Sequence, residues 1–260
     1  MPIETYVDQI EPQNQDVVIW RFMNMKKFAD FIGTGELYFC RADLFHDESE
    51  GLPPENYFPS PNLHPLDVLD RKTIDDSIGC AAQFREAFYV NCWHLFREER
   101  WAMWEKYGED GVAICSRYRL LKAALNAMDD RAFIGLVRYG SRHMTGWNLF
   151  RFITTKRMEF ADEQEVRAFL WIIDPYAGIN RHIDADNRIH DRPLTAPPDR
   201  VPKGHRRKVD VQGLVTEIVV SPHAITTTFD EIQRLVTSKG YAIPIQASAL
   251  TRFRELLPNS

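Results

Sequence analysis

Three observations predict an α+β fold, a single domain built on a mixed or mainly antiparallel sheet with flanking helices. Short β-branched and aromatic runs are interspersed with amphipathic stretches of helical period. These do not follow a strict strand-helix-strand repeat, which would announce a parallel sheet. The chain of 260 residues is 44% hydrophobic, enough to bury one large core spanning about 17–250.

The elements follow in order. Val17 to Phe22 is β-branched and aromatic and reads as the first strand. Asn24 caps a short helix, Met25 to Ile32, whose Phe28, Phe31 and Ile32 share a face, and Gly33 and Gly35 end it. Leu37 to Cys40 is a second strand. An acidic, proline-studded loop occupies 43–65, and 66–86 has loose helical periodicity. Ala87 to Leu95 alternates as a strand, with Phe88, Val90, Cys92 and His94 on one side and Tyr89, Asn91 and Trp93 on the other. Glu98 to Tyr107 reads as a helix closed by Gly108, Gly111 to Ser116 as a strand, Tyr118 to Met128 as a helix and Phe133 to Tyr139 as a strand. Asn148 to Lys156 reads as helix and Glu165 to Ile173 as strand. An irregular insert covers 174–208, ending in the basic His205-Arg-Arg-Lys208. Leu214 to Val220 (strand), Thr227 to Ser238 (helix) and Tyr241 to Ile245 (strand) complete the core.

Charge narrows the classes of function. The 32 cations, 23 Arg and 9 Lys, face 37 anions, and the thirds 1–80, 81–160 and 161–260 carry −9, +4 and 0. A coat of nucleic acid would need a basic surplus, so any nucleic-acid contact must be a local groove. The longest apolar run, Ala168 to Ile173, is far below a membrane span, and the N-terminus lacks a signal-peptide pattern. Cys40, Cys80, Cys92 and Cys115 are widely spaced without a Cys-x-x-Cys, which predicts a reduced, cytoplasmic protein with no bound metal.

An ordered set of motifs carries a resemblance. They are Trp20-Arg-Phe, Gly35-Glu-Leu-Tyr-Phe39, Phe45-His-Asp-Glu-Ser-Glu-Gly51, Cys92-Trp-His-Leu95, Met103-Trp-x-x-Tyr107 and Gly111-Val-Ala-Ile. Lys156-Arg-x-x-Phe-x-x-Glu-x-Glu165-Val-Arg-Ala168 and Glu217-Ile-Val-Val-Ser-Pro222 follow. Together they resemble the bacterial domain-of-unknown-function family 2971 over nearly the whole chain. The family pattern has Glu-Ser before the Met-Trp helix, where this chain has Glu99-Arg100. The resemblance implies no assigned activity.

The sharpest chemical cluster is Glu163-Gln-Glu165-Val-Arg167. Period two places two carboxylates and a guanidinium on one strand face, where like charges in proximity split their pKa values and suit acid and base work. The same spacing also describes an exposed strand face with an ion pair. Arg21 interrupts an apolar strand and needs a carboxylate or phosphate partner. Lys156 and Arg157 add charge to the same cleft or form a solvated helix end. Asn91, Trp93 and His94 bring polar groups to the central strand, where His94 beside Cys92 is either a ligand or base or a satisfied core histidine. Trp101, Trp104 and Tyr107 form either a stacking wall for a base or nicotinamide ring, or core. Arg138 and His143 fit the Arg-x4-His spacing of helical ribonuclease toxins, but Gly140 favours a turn there. Arg206-Arg-Lys208 reads as a solvated loop.

Three functional readings result. The layout is similar to that of ADP-ribosyltransferases, which implies NAD as cofactor, Arg21 as dinucleotide anchor, Glu165 as catalytic carboxylate and Glu163 orienting the acceptor. A fixed negative charge near an oxocarbenium-like ribose and cationic clamps on the pyrophosphate are what that chemistry needs. The middle Ser-Thr-Ser motif is missing, with Asn91 or Ser116 in its place. The second reading is a non-catalytic module that binds a nucleotide or nucleic-acid end, serving as a sensor or effector in bacterial defence against phage. The third is a metal-dependent nuclease using Asp47, Glu50, Glu163 and Glu165, with Arg167 where the catalytic Lys would stand.

Overall fold

In a computed structural model of the chain, the described residues are 3–53, 79, 81–82, 84–108, 110–140, 148–172, 181–183, 189–191, 202–224 and 226–251. Most of the acidic loop, most of 66–86, His143 and Cys80 therefore lie outside the described residues.

The strands are β1 (Val18–Met23), β2 (Glu36–Arg41), β3 (Phe88–His94), β4 (Val112–Arg117), β5 (Ala132–Leu136), β6 (Arg138–Tyr139), β7 (Thr155–Lys156) and β8 (Glu165–Trp171). They continue with β9 (Arg181–Ile183), β10 (Ile189–Asp191), β11 (Gly204–Lys208), β12 (Glu217–Val220) and β13 (Ile245–Ala247). The helices are α1 (Met25–Thr34), α2 (Trp101–Met103), α3 (Tyr118–Asn126), α4 (Leu149–Ile153), α5 (Val211–Leu214) and α6 (Thr226–Ser238). Nine strands form one sheet along β11-β2-β3-β1-β4-β12-β13, with β8 paired to β3 and β5 to β8. All of these pairs are antiparallel except β12 with β13, so the α+β architecture holds.

β3 is the node of the sheet. β8 pairs with it from Phe88 to His94 and fills one edge. β2, at Cys40↔Val90 and Arg41↔Tyr89, and β1, at Trp20↔His94, share the other. Directly paired residues project to the same face. One face carries Ile19, Met23, Tyr89, Trp93, Ile114, Val166, Ala168 and Leu170, packed under Phe28 and Ile32 of α1, Leu121 and Leu125 of α3, and Ile232 and Val236 of α6. The opposite face has two smaller apolar clusters, one around Trp20, Phe22 and Trp104, the other around Phe88, Phe133 and Phe169. Between these two clusters β3 and β8 present Cys92, His94, Glu165 and Arg167.

Several predicted elements are corrected. The helix expected over Glu98 to Tyr107 is one short turn, α2, running into a π-helical turn, Trp104–Gly108, because only the Trp104 side of the stripe finds a core to pack on. The helix expected to Lys156 stops at Ile153, and Lys156 lies on β7, paired with β6. The end of the expected insert is β11, an edge strand on β2, in which Arg206 pairs with Asp30 at the exposed surface and half-buried Arg207 pairs with Asp130. Leu214 closes α5 and does not open a strand, and the last strand begins at Ile245, not Tyr241.

Candidate functional site

The site is assembled from five structural elements on the sheet face that also carries Trp20 and Phe169. Glu165 and Arg167 come from β8. Glu163 ends a 3₁₀ turn, Met158–Glu163, and Gln164 after it adopts a left-handed conformation, φ 41° and ψ 54°. That kink, not continuous strand alternation, brings Glu163 beside Glu165. Lys156 comes from β7, Glu50 from the acidic segment, and Lys106 and Tyr107 from the π-helical turn.

Every carboxylate oxygen of the Glu163 and Glu165 pair is taken by the chain itself. Glu165 Oε1 accepts from Arg167 Nε at 2.7 Å, and Oε2 accepts from Arg167 at 3.0 Å and from Lys156 Nζ at 3.3 Å. Glu163 Oε1 accepts from Lys106 Nζ and from the Tyr107 hydroxyl, the latter at 2.9 Å, while Oε2 accepts from Lys156 Nζ at 2.7 Å. Glu50 Oε1 lies 2.7 Å from Arg167 and 3.0 Å from Lys156. Arg167 also donates to the Ile153 carbonyl and stands over the Phe45 ring. Three carboxylates (Glu50, Glu163, Glu165) meet three cations (Lys106, Lys156, Arg167), so the network is neutral.

Burial and charge set the protonation states. Burial alone would raise the Glu165 carboxyl, but the Arg167 guanidinium and the Lys156 ammonium outweigh it and hold the group far below the usual carboxylate range. Glu163 is likewise lowered, burial being overcome by Lys106 and Lys156. Burial opposes the charge on Lys156, yet Glu165 and Glu50 raise its pKa well above the ordinary lysine value. Cys92 beside Glu165 is pushed up, chiefly by burial and then by that carboxylate, which keeps it a thiol. His94 Nδ1 lies 2.9 Å from the Glu163 carbonyl, and burial lowers the ring's pKa, keeping it neutral.

Arg21 does not join this cluster. Trp20 pairs with His94, and His94 with Glu165, so those three share a face and Arg21, one residue on, projects to the other. It is half-buried there with no hydrogen bond or ion pair to another described residue, and desolvation lowers its pKa to about 10. Asn91 and Trp93 lie on that same opposite face, where the Trp93 indole donates to Asn91 Oδ1 at 2.6 Å and Asn91 donates to the Tyr38 carbonyl. Trp104 is fully buried as core, and its indole donates to Glu99. Arg157 is exposed and pairs with Asp47 and Glu159.

Beside the buried network an open cleft of about 490 Å³ is lined by Leu95, Arg97, Glu98, Glu99, Arg100 and Gln164. Arg100 lies 4.2 Å over the Phe96 ring and donates to the Asp162 carbonyl. Gln164, its amide set to satisfy both neighbours, donates to the Leu95 carbonyl and accepts from Arg100. Glu99 is consumed by Trp104, Ser248 and the Ala249 amide. Sequence reasoning passed over Arg97 and Lys106. Arg97 stands in no motif, whereas Lys106 falls on an unconstrained position of Met103-Trp-x-x-Tyr107.

No family model, no curated protein and no solved structure matches the chain. Among the described residues no group of three His, Cys, Asp or Glu is disposed to hold a metal ion, because Lys156 and Arg167 fill the space between the carboxylates of Glu50, Glu163 and Glu165. No helix among them is long and apolar enough to cross a membrane.

Proposed function

We propose that this chain is a non-catalytic module that binds a nucleotide or nucleic-acid end, rather than an NAD-consuming transferase. One observation carries the reading: the carboxylates of Glu163 and Glu165 are saturated by the chain's own donors, with the Glu165 side chain only 2% exposed. A transferase needs that carboxylate free to meet a ribose hydroxyl and needs the anchoring Arg in the same pocket, whereas Arg21 is on the other face. A nuclease would need Glu50, Glu163 and Glu165 to converge on a metal, and they converge on Lys156 instead.

The cleft beside the network supports binding. A guanidinium is planar, permanently charged and matched to phosphate oxygens, and a volume of a few hundred Å³ suits a nucleotide. Arg97 is exposed at its rim, and Arg100 is stacked on Phe96 with its amines turned toward the cleft wall formed by Gln164. The motif set supports membership of family 2971, and the unpaired thiols of Cys40, Cys92 and Cys115 support a reducing, cytoplasmic setting. Detecting a nucleotide or nucleic-acid end is the task we assign it, in a sensor or effector of defence against phage.

Calorimetric titration with ADP-ribose, ADP and a 5′-phosphorylated dinucleotide tests the proposal. Binding of at least one of them in the micromolar to millimolar range is expected, weakened about tenfold or more by Arg97→Ala with Arg100→Ala. No binding by the folded wild-type protein, or binding indifferent to both substitutions, contradicts it.

A further inference from the structure

We propose that Glu163, Tyr107 and Phe160 form a binding site for an external primary alkylammonium group, and that Lys106 occupies this site in cis until such a ligand replaces it. This goes beyond the anion-binding cleft and uses different residues.

The Lys106 ammonium is held as a recognised cation would be. It bonds to Glu163 Oε1 and lies 5.2 Å from the Tyr107 ring centroid and 5.0 Å from that of Phe160. The Tyr107 hydroxyl donates to the same carboxylate oxygen at 2.9 Å, fixing the acceptor in place without Lys106. A carboxylate with two aromatic rings within about 6 Å of the charge is the chemistry that selects ammonium groups.

Exposure separates the two ammonium groups around Glu163. Lys156 has a 9% exposed side chain and touches Glu50, Glu163 and Glu165, so it cannot leave without stripping three carboxylates. Lys106 is 44% exposed and touches one carboxylate, and Glu163 itself is 4% exposed. A built, buried acceptor is thus capped by a solvent-facing lysine on a π-helical turn, a geometry often found at functional sites. Lys106 can swing out because its own side chain already reaches solvent, whereas Glu163 stays buried. The departure leaves the network one positive charge short in a poorly solvated place.

Charge also dictates exchange rather than addition. Phe160 already has Lys156 Nζ at 4.7 Å and Arg157 at 5.2 Å, so a second ammonium beside Lys106 would meet only cations once Glu163 is saturated. The ligand enters as Lys106 swings out. Its head group is a primary ammonium on an unbranched stem, supplied either by a lysine side chain of a partner peptide or by a free aliphatic diamine.

Lys106→Ala empties the site while leaving Tyr107 and Lys156 on Glu163. Binding of n-butylammonium, cadaverine and an N-acetylated Gly-Lys-Gly amide is followed by NMR line shifts of the Tyr107 and Phe160 rings, and by melting temperature, at constant ionic strength. K106A is expected to bind n-butylammonium at least tenfold more tightly than the wild type, and Phe160→Leu in the K106A background to weaken it several-fold. Tighter binding of the peptide than of cadaverine assigns a peptide partner, and the reverse assigns a free diamine. Equal affinity of K106A and wild type, or an equal response to n-butanol, overturns the proposal. Should K106A fail to fold, the wild-type ring shifts decide: saturation by n-butylammonium but not by tetramethylammonium or n-butanol sustains it, and no saturable shift overturns it. Nucleotide binding at Arg97 and Arg100 is expected to be unchanged in K106A, so the two sites fail independently.

Discussion

Glu165 and Arg167, two residues apart on β8, form a buried pair in which Arg167 Nε donates to Glu165 Oε1 at 2.7 Å with both side chains no more than 2% exposed. Strand period puts them on one face, and the sheet leaves them between two aromatic clusters where neither could be tolerated alone. Such a pair contributes less net stability than its Coulomb attraction suggests, because both groups have been taken out of water. What it contributes is specificity, since the acidic segment, through Glu50, and β7, through Lys156, must reach the same spot.

Removing one partner exposes that dependence. Arg167→Met leaves Glu50 and Glu165 facing each other with only Lys156 between them. The expected loss is about 3–5 kcal/mol, the usual cost of an uncompensated buried charge. Urea unfolding followed by tryptophan fluorescence measures it. A loss below about 1 kcal/mol would mean that the network relaxes to water and is not the internal brace described above.

Acid is expected to weaken the same network. Glu163 and Glu165 have folded pKa values below the ordinary 4.5, so their contribution is fully present above about pH 4.5 and is lost as pH falls from there toward the folded values. His94, neutral when folded with its pKa depressed from 6.5, contributes in the same direction and begins to do so as pH falls below 6.5. Lys156 is raised above 10.5, so its contribution persists to at least that pH. Melting temperature against pH should therefore be flat from about 7 to 8.5, decline above about 9 as the unfolded chain's thiols ionise while buried Cys92 and Cys115 stay protonated, and fall steeply below about 4.5. In Glu165→Gln the acid limb should be shallower. An unchanged acid limb would show that these carboxylates are not what titrates.

Gly111 carries a different kind of constraint. A Cβ there would run into the Met23 carbonyl and the Asn24 backbone, at the point where β1 ends against β4. Backbone on both sides cannot give way, so Gly111→Ala is expected to cost about 1–3 kcal/mol, as overpacking does. Thermal unfolding checks this, and a neutral substitution would contradict the close approach of the two strands.

The share of this that sequence makes legible follows the range of each interaction. The one-face grouping of Glu165 and Arg167 follows from strand period, whereas Glu163 joins them through the left-handed Gln164, which the period does not encode, and the nearness of Lys156 needs only a short return of the chain. The side of the sheet that receives Arg21 depends on the register Trp20↔His94, which no local pattern encodes. Glu50 and Lys106 arrive from distant segments and look in sequence like ordinary surface charges. The basic run at β11 reads as loop because its neutralising partners, Asp30 and Asp130, are remote. Amphipathic spacing around Trp101 and Trp104 suggests a full helix, yet Trp101 faces His223 at the periphery while Trp104 is core, and the helix is short.

The central claim is that Glu165 is a structural carboxylate and not a catalytic one. Incubating the purified chain with NAD and quantifying free nicotinamide, beside Glu165→Gln, tests it most directly. No release above the protein-free control is predicted for the wild type, with Glu165→Gln altering only stability. Sustained release by the wild type, abolished in a Glu165→Gln protein that remains folded, would contradict it.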